Sequence, residues 1–224
     1  MNKVAFFDFC ETIADFQTAD AYVKFVRERY GNARMRRIED FQRYLRKTKL
    51  IRILQRFWGK EGNVNKRLTA YQLKGFSEKK LDFYAHEYYE QIIKPHFIKD
   101  IIEILINLKK QGYKVGVVSG GYGLYLRYFV EDFKLDFLLS SNIAFKNGIC
   151  TGGWDGPDCL NENKVIYLKQ MFPLPPSESI AFSDSQTDVP LLKYARQGVV
   201  VSRNRHQNWI DNYNFKEIIW TENH

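Results

Sequence analysis

The sequence predicts an α/β fold, a parallel sheet with helices on both faces and a small helical lobe inserted after the first strand. Three observations lead there. Short apolar runs of strand length alternate with stretches of helical spacing, the first run is parted from the second by a long basic helical segment, and carboxylate or hydroxyl residues stand where the runs end. A strand covered on both faces reads as a near-continuous apolar run, and open α/β sheets bind ligands in the crevice beyond the carboxyl ends of such strands.

The first strand is read in "KVAFFDF", residues 3–9, where Val4 to Phe7 are all apolar. After it, "AYVKFVRERY", "RMRRIEDFQRYLRKTKLIRILQRFW" and "SEKKLDFYAHEYYEQI" carry apolar residues at helical spacing, for example Phe41, Leu45, Leu50, Ile53, Leu54 and Phe57. Breaks are expected near Gly31, over 59–65 and near Gly75. The helix "IKDIIEILINLKKQG" then leads to a strand in "YKVGVVSGGYG", with later strands in "ESIAFSDS" and "QGVVVS" and helices over 122–133, 164–171 and 189–195. "NIAFKNGICTGGWDGPD" is rich in Gly and turn residues and reads as a hairpin near the sheet edge. The expected division is an α/β core of residues 1–13 and 93–224 and a helical, basic cap of residues 14–92.

Composition narrows the class. A chain of 224 residues, 45% hydrophobic and 16% aromatic, has material for one sizeable core and a smaller lobe, which excludes a disordered chain. No apolar stretch reaches the length of a membrane span and no signal-peptide pattern opens the sequence, so a soluble, cytoplasmic protein is expected. Cys10, Cys150 and Cys159 make neither an even disulfide framework nor a closely spaced zinc pair, and suit free thiols in a reducing compartment. Residues 24–90 hold 18 Lys and Arg against 8 Asp and Glu, a net of +10, so the rest of this +8 chain sums to −2. The basic character lives in the insertion.

The strand ends carry the chemistry. The first delivers Asp8, Cys10 and Thr12, the second Ser119, Gly120 and Gly121, and "ESIAF" delivers Ser183, Asp184 and Ser185, with Asp188 four residues past Asp184. In a parallel sheet these ends share one edge, so the carboxylates converge on one crevice with a hydroxyl and free backbone amides. Carboxylates that close repel unless a cation lies among them. Magnesium prefers one or two carboxylates, a carbonyl, waters and a substrate phosphate, which makes phosphate chemistry the natural reading. A phosphate there would take hydrogen bonds from Ser119 and the Gly120 amide, with one aspartate left in line as nucleophile.

With these residues in place, the chain resembles the haloacid dehalogenase-like superfamily of aspartate-nucleophile hydrolases, in particular its phosphoserine-phosphatase-like branch. Its four motifs in order are similar to "FFDFCETI", "VGVVSGG", "NENKVIYL" and "AFSDSQTDVPLL", and its helical cap and Gly-rich segment match residues 14–92 and "NGICTGGWDG". The resemblance implies a Rossmann-like core and a Mg2+-dependent phosphatase. Asp8 would attack phosphorus, while the Asp8 carboxylate, the Cys10 backbone carbonyl and Asp184 would hold magnesium, with Asp188 as supporting acid. Ser119 and the Gly120 amide would bind the phosphoryl oxygens, Lys164 would neutralise them and the nucleophile, and Thr12 would fix the loop.

Cys10 departs from the pattern, because in the family's phosphatases that position is an Asp which protonates the leaving group and then activates water, work typically worth about 10²- to 10⁴-fold. Three readings stay open: a specialised phosphatase in which a substrate group, Asp15 or a cap residue moves the proton; an aspartate-nucleophile phosphotransferase that passes the phosphoryl group to an acceptor other than water; and a phosphate-binding module. Retention of Asp8, Thr12, Ser119, Lys164, Asp184 and Asp188 favours the first. The implied partner is a small phosphorylated metabolite. Gln17 stands where the branch places an acidic reader of the substrate amine, which argues against free phosphoserine. A basic cap facing the site would favour a second anionic group, as in a nucleotide, a sugar phosphate or a lipid head group. No nucleic-acid-binding motif accompanies the charge, which argues against a nucleic-acid partner.

Overall fold

A computed structural model describes residues 3–58 and 63–221 of the chain. Strand β1 (Lys3–Phe7) lies at the centre of a seven-stranded sheet of order β4-β3-β2-β1-β5-β6-β7. Its neighbours β2 (Lys114–Tyr122) and β5 (Glu178–Ser183) both run parallel to it. The chain fills one side with β3 (Phe137–Lys146) and β4 (Ile149–Asp155), and the other with β6 (Gln197–Arg203) and β7 (Lys216–Trp220). Strand order therefore reverses at β1, and a crevice opens at its carboxyl end. All pairings are parallel except β3 with β4. That pair is the expected hairpin, closed by Asn147 and Gly148, both with positive φ, as a two-residue Asn-Gly hairpin turn requires.

β1 is as buried as its composition implies. Ala5 and Phe7 join one hydrophobic cluster while Val4 and Phe6 join another, the alternation of a strand covered on both faces. Phe7 stacks on Phe182 of β5 with ring centroids 4.3 Å apart, and burial of each such ring is worth roughly 1.5–3 kcal/mol. Helices α6 (Lys99–Lys110), α7 (Gly123–Asp132), α8 (Glu162–Met171) and α9 (Val189–Tyr194) fall where periodicity puts them.

Between β1 and α6 stand α1 (Thr18–Tyr30), α2 (Ala33–Lys47), α3 (Leu50–Trp58), α4 (Val64–Tyr71) and α5 (Glu78–Tyr88). The chain breaks at Gly31–Asn32 and around Gly75 as expected, and also at Thr48–Lys49, where Lys49 takes a positive φ. The break expected over 59–65 falls partly outside the described residues. Tyr22, Val23 and Val26 of α1 and Tyr84, Ala85 and Tyr88 of α5 share a cluster with Phe7, Phe9, Tyr122 and Tyr125, so the insertion's inner helices pack on the sheet through aromatic rings. Among the described residues no helix is long and apolar enough to cross a membrane.

Candidate active site

Register brings the strand ends level. Phe7 is paired with Val117 on one side and Phe182 on the other, so Asp8, Ser119 and Asp184 all emerge within two residues of the same rung. The Asp8 amide still donates to the Phe182 carbonyl at 2.9 Å, after which the chain turns around the Phe9 carbonyl, which accepts from the amides of Ile13 and Ala14 at 2.9 and 3.0 Å. Glu11 holds a positive φ of 56° in this turn. In β2 the pairing with β3 slips between Ser119 and Tyr122, so Gly120 and Gly121 bulge from the ladder. A bulge of this kind re-aims backbone and side chains beside a site.

Here a cavity of about 300 Å³ opens, lined by residues that include Asp8, Cys10, Glu11, Ser119, Gly120, Lys164, Asp184 and Asp188. Lys164, 2% exposed, donates to Asp8 Oδ1 at 2.7 Å and to Asp188 Oδ2 at 2.6 Å. Burial alone would depress its pKa, but the two carboxylates raise it above the ordinary lysine value, so it stays charged. Asp8 is raised by burial and by Asp188, against the opposing pull of Lys164. Ser183 donates to Asp188 Oδ2 at 2.7 Å, which fixes that carboxylate and through it the lysine. The Thr12 hydroxyl accepts from the Asp184 amide at 3.0 Å and donates to Asp184 Oδ1 at 3.1 Å, clasping the loop after β1 to the end of β5. Asp184 is pushed up to about 8, first by burial and then by Asp8 and Glu11. Ser119 is 1% exposed and its Oγ accepts from the Gly121 amide at 3.1 Å.

Cys10 is half-buried at the cavity wall. Its Sγ lies 3.0 Å from Thr18 Oγ1, which is 2.8 Å from the Tyr125 hydroxyl. Burial, then the Asp8 charge, push the thiol up to about 11, so it stays neutral at neutral pH.

Every site residue expected from the sequence lines this cavity except Thr12, which lies just beneath it on Asp184. Asp15 does not line it, and pairs instead with His96 Nδ1 at 3.0 Å. The carboxylates that do, besides the expected three, are Glu11, which accepts from Gln17 Nε2, and Asp20 of α1. Sequence reasoning also missed Lys66. Its Nζ reaches the Gly120 carbonyl at 2.6 Å and pairs with the buried Asp158, which also takes a hydrogen bond from Ser141. Of the insertion's basic residues, Lys66 alone lines the cavity among the described residues, so most of the positive charge lies elsewhere.

The arrangement is an acidic cavity at the carboxyl edge of a parallel sheet, and sequence comparison gives its family. A model of haloacid dehalogenase-like hydrolases matches residues 5–193, and the chain belongs to that family. A phosphoserine phosphatase of Lactococcus lactis is 33% identical over 107 residues, 46% of this chain and 50% of that protein. One from Streptococcus thermophilus is 30% identical over 107 residues, again 46% of this chain and 50% of that protein. The chain thus matches these curated relatives over about half their length. Among solved structures, a Bordetella pertussis Tohama I protein of unknown function is similar with a TM-score of 0.77 at 18% identity, over 97% of this chain and 98% of that one. A probable phosphoserine phosphatase of Vibrio cholerae is similar with a TM-score of 0.66 at 16% identity, over 97% and 60%. At these identities the structural likeness is one of fold.

Proposed function

We propose that this chain is a magnesium-dependent phosphatase that hydrolyses a small phosphate monoester through an aspartyl-phosphate on Asp8. The observation that carries the reading is the buried Asp8–Lys164–Asp188 chain at the carboxyl edge of β1, facing a cavity shared with Ser119 and Gly120. In this reading Lys164 opposes the burial that raises Asp8 and favours the carboxylate that attacks phosphorus in line, while Asp188 and Ser183 hold the ammonium group in position. The Ser119 hydroxyl and the Gly120 amide donate to the phosphoryl oxygens. Residues 14–92 act as a cap that closes the cavity from above and brings in Lys66 and Asp20.

The donor set fits magnesium. Asp8 is a buried and Asp184 a half-buried carboxylate, the raised proton affinity of both marks a demand for positive charge, and with the Cys10 carbonyl they form an all-oxygen set of the kind this ion takes. Among the described residues no three His, Cys, Asp or Glu side chains form a cluster able to hold a metal, so two carboxylates and a carbonyl are the ligands proposed. When bound, magnesium would neutralise charge on the transferring phosphoryl group.

A second reading is favoured by Cys10. A thiol held neutral and tied to Thr18 does not take a proton from water, so transfer of the phosphoryl group to an acceptor more nucleophilic than water is the alternative outcome on the same machinery. Phosphate release from a panel of monoesters with magnesium, repeated with added alcohol acceptors, separates the two. Release without transfer supports the phosphatase, a phosphorylated acceptor supports the transferase, and neither with any ester overturns both.

A further inference from the structure

The insertion's positive charge lies away from the cavity, on the outer helices α2 and α3, beside apolar side chains that the fold leaves uncovered. Residues 33–58 hold nine Lys and Arg against Glu39 and Asp40, a net of +7. Glu39 and Asp40 pair with Arg27, Arg43 and Arg46. Lys47, Lys49, Arg52 and Arg56 are exposed and have no carboxylate partner among the described residues. Through the same surface runs a helical stripe: Leu50, Ile53 and Phe57 recur at i, i+3 and i+7 on α3, with Phe57 73% and Ile53 52% exposed. Phe41 and Tyr44 of α2 are more than half exposed as well. The stripe borders a groove of about 770 Å³ lined by Phe41, Leu45, Leu54, Leu68, Tyr71 and Trp154.

An apolar patch of this kind marks an interaction surface, and its charge selects the occupant. A second copy of the chain would set +7 against +7. A bare phosphodiester backbone would satisfy the cations but leave Phe41, Ile53 and Phe57 in water. An anionic lipid interface answers both features at once, with headgroups to meet Lys47, Lys49, Arg52 and Arg56 and acyl chains to receive the rings, as basic amphipathic helices do at membrane surfaces. We propose that the α2–α3 face is a docking surface for an anionic membrane. The catalytic cavity lies on the other side of α4, where Asn63, Asn65 and Lys66 face it, so the surface and the site do not compete.

Membrane binding by this face does not depend on the proposed chemistry, and vesicle flotation reads it without an activity assay. The full chain is floated with vesicles of phosphatidylcholine alone and of phosphatidylcholine with one third phosphatidylglycerol, at low and high salt. The expected result is recovery with the anionic vesicles only, falling with salt, and reduced about tenfold in I53S/F57S and in R52E/R56E, each checked for unchanged melting. Recovery with neither vesicle, equal recovery with both, or a folded I53S/F57S that floats like the parent overturns it.

Discussion

The carboxyl edge of the sheet and the outer face of the insertion treat charge in opposite ways. At the edge, Lys164 is buried to 2% exposure and meets two carboxylates at 2.6 and 2.7 Å, and one of them, Asp188, is held in turn by Ser183. On α2 and α3, Lys47, Lys49, Arg52 and Arg56 stand in water with no partner among the described residues. A buried charge persists only where partners repay its desolvation, so the first arrangement is over-determined by geometry, while a solvated charge constrains its neighbours little. Removing one member should therefore be costly at the edge and nearly silent on the insertion.

That contrast can be broken by mutation. The largest effect is expected for Asp8→Asn, which should lower magnesium-dependent phosphate release by at least about 10³-fold with the fold intact, as loss of a nucleophile does; steady-state kinetics with a thermal melt checks it. Lys164→Met removes the cation between Asp8 and Asp188 and should slow turnover by about 10²- to 10³-fold. In urea titration it should also cost about 3 kcal/mol, because it leaves two buried carboxylates unpaired. Lys49→Met, its counterpart on the insertion, should move stability by no more than about 0.5 kcal/mol, and equal losses in the two would dissolve the comparison.

Cys10→Asp sharpens it from the other side, since it supplies a carboxyl able to protonate the leaving oxygen and then activate water. Hydrolysis should quicken by up to about 10²-fold, most for esters with poor leaving groups. A pre-steady-state burst in the parent that disappears in the variant would identify water activation as the slow step, and slower turnover on every ester would make the thiol part of a specialised site. I53S/F57S, like Lys49→Met, should change unfolding free energy little, by less than about 1 kcal/mol, because both side chains already face water.

The same difference governs what the sequence discloses. Asp8, Ser119 and Asp184 each follow an apolar run, so their place at one sheet edge follows from strand order alone, and Lys164 follows from its motif once the family resemblance is seen. Ser183 is legible at its strand end, but its hold on Asp188 is not, and Thr18 and Tyr125 carry no signal at all, because what matters is which atoms they meet after packing. Lys66 is hidden among 18 basic residues of the insertion, and its partner Asp158 lies 92 positions away in a Gly-rich loop, a pairing that only the fold reveals. Strand β7 escaped because it is a five-residue edge strand with a polar start. The parallel first half of β3 escaped because only its second half, in the hairpin, carries turn chemistry.

If Asp8 is the nucleophile, the phosphoryl group passes through its carboxylate, and chemical trapping reads that step. The chain is mixed with a phosphate ester and magnesium, quenched in acid, reduced with borohydride and digested, and the peptides holding Asp8, Cys10 and Ser119 are read by mass spectrometry. Asp8 should be converted to homoserine, dependent on the ester, with no conversion in Asp8→Asn. Phosphate release with Asp8 unmodified, or a phosphoryl group found on Cys10 or Ser119 instead, would contradict it.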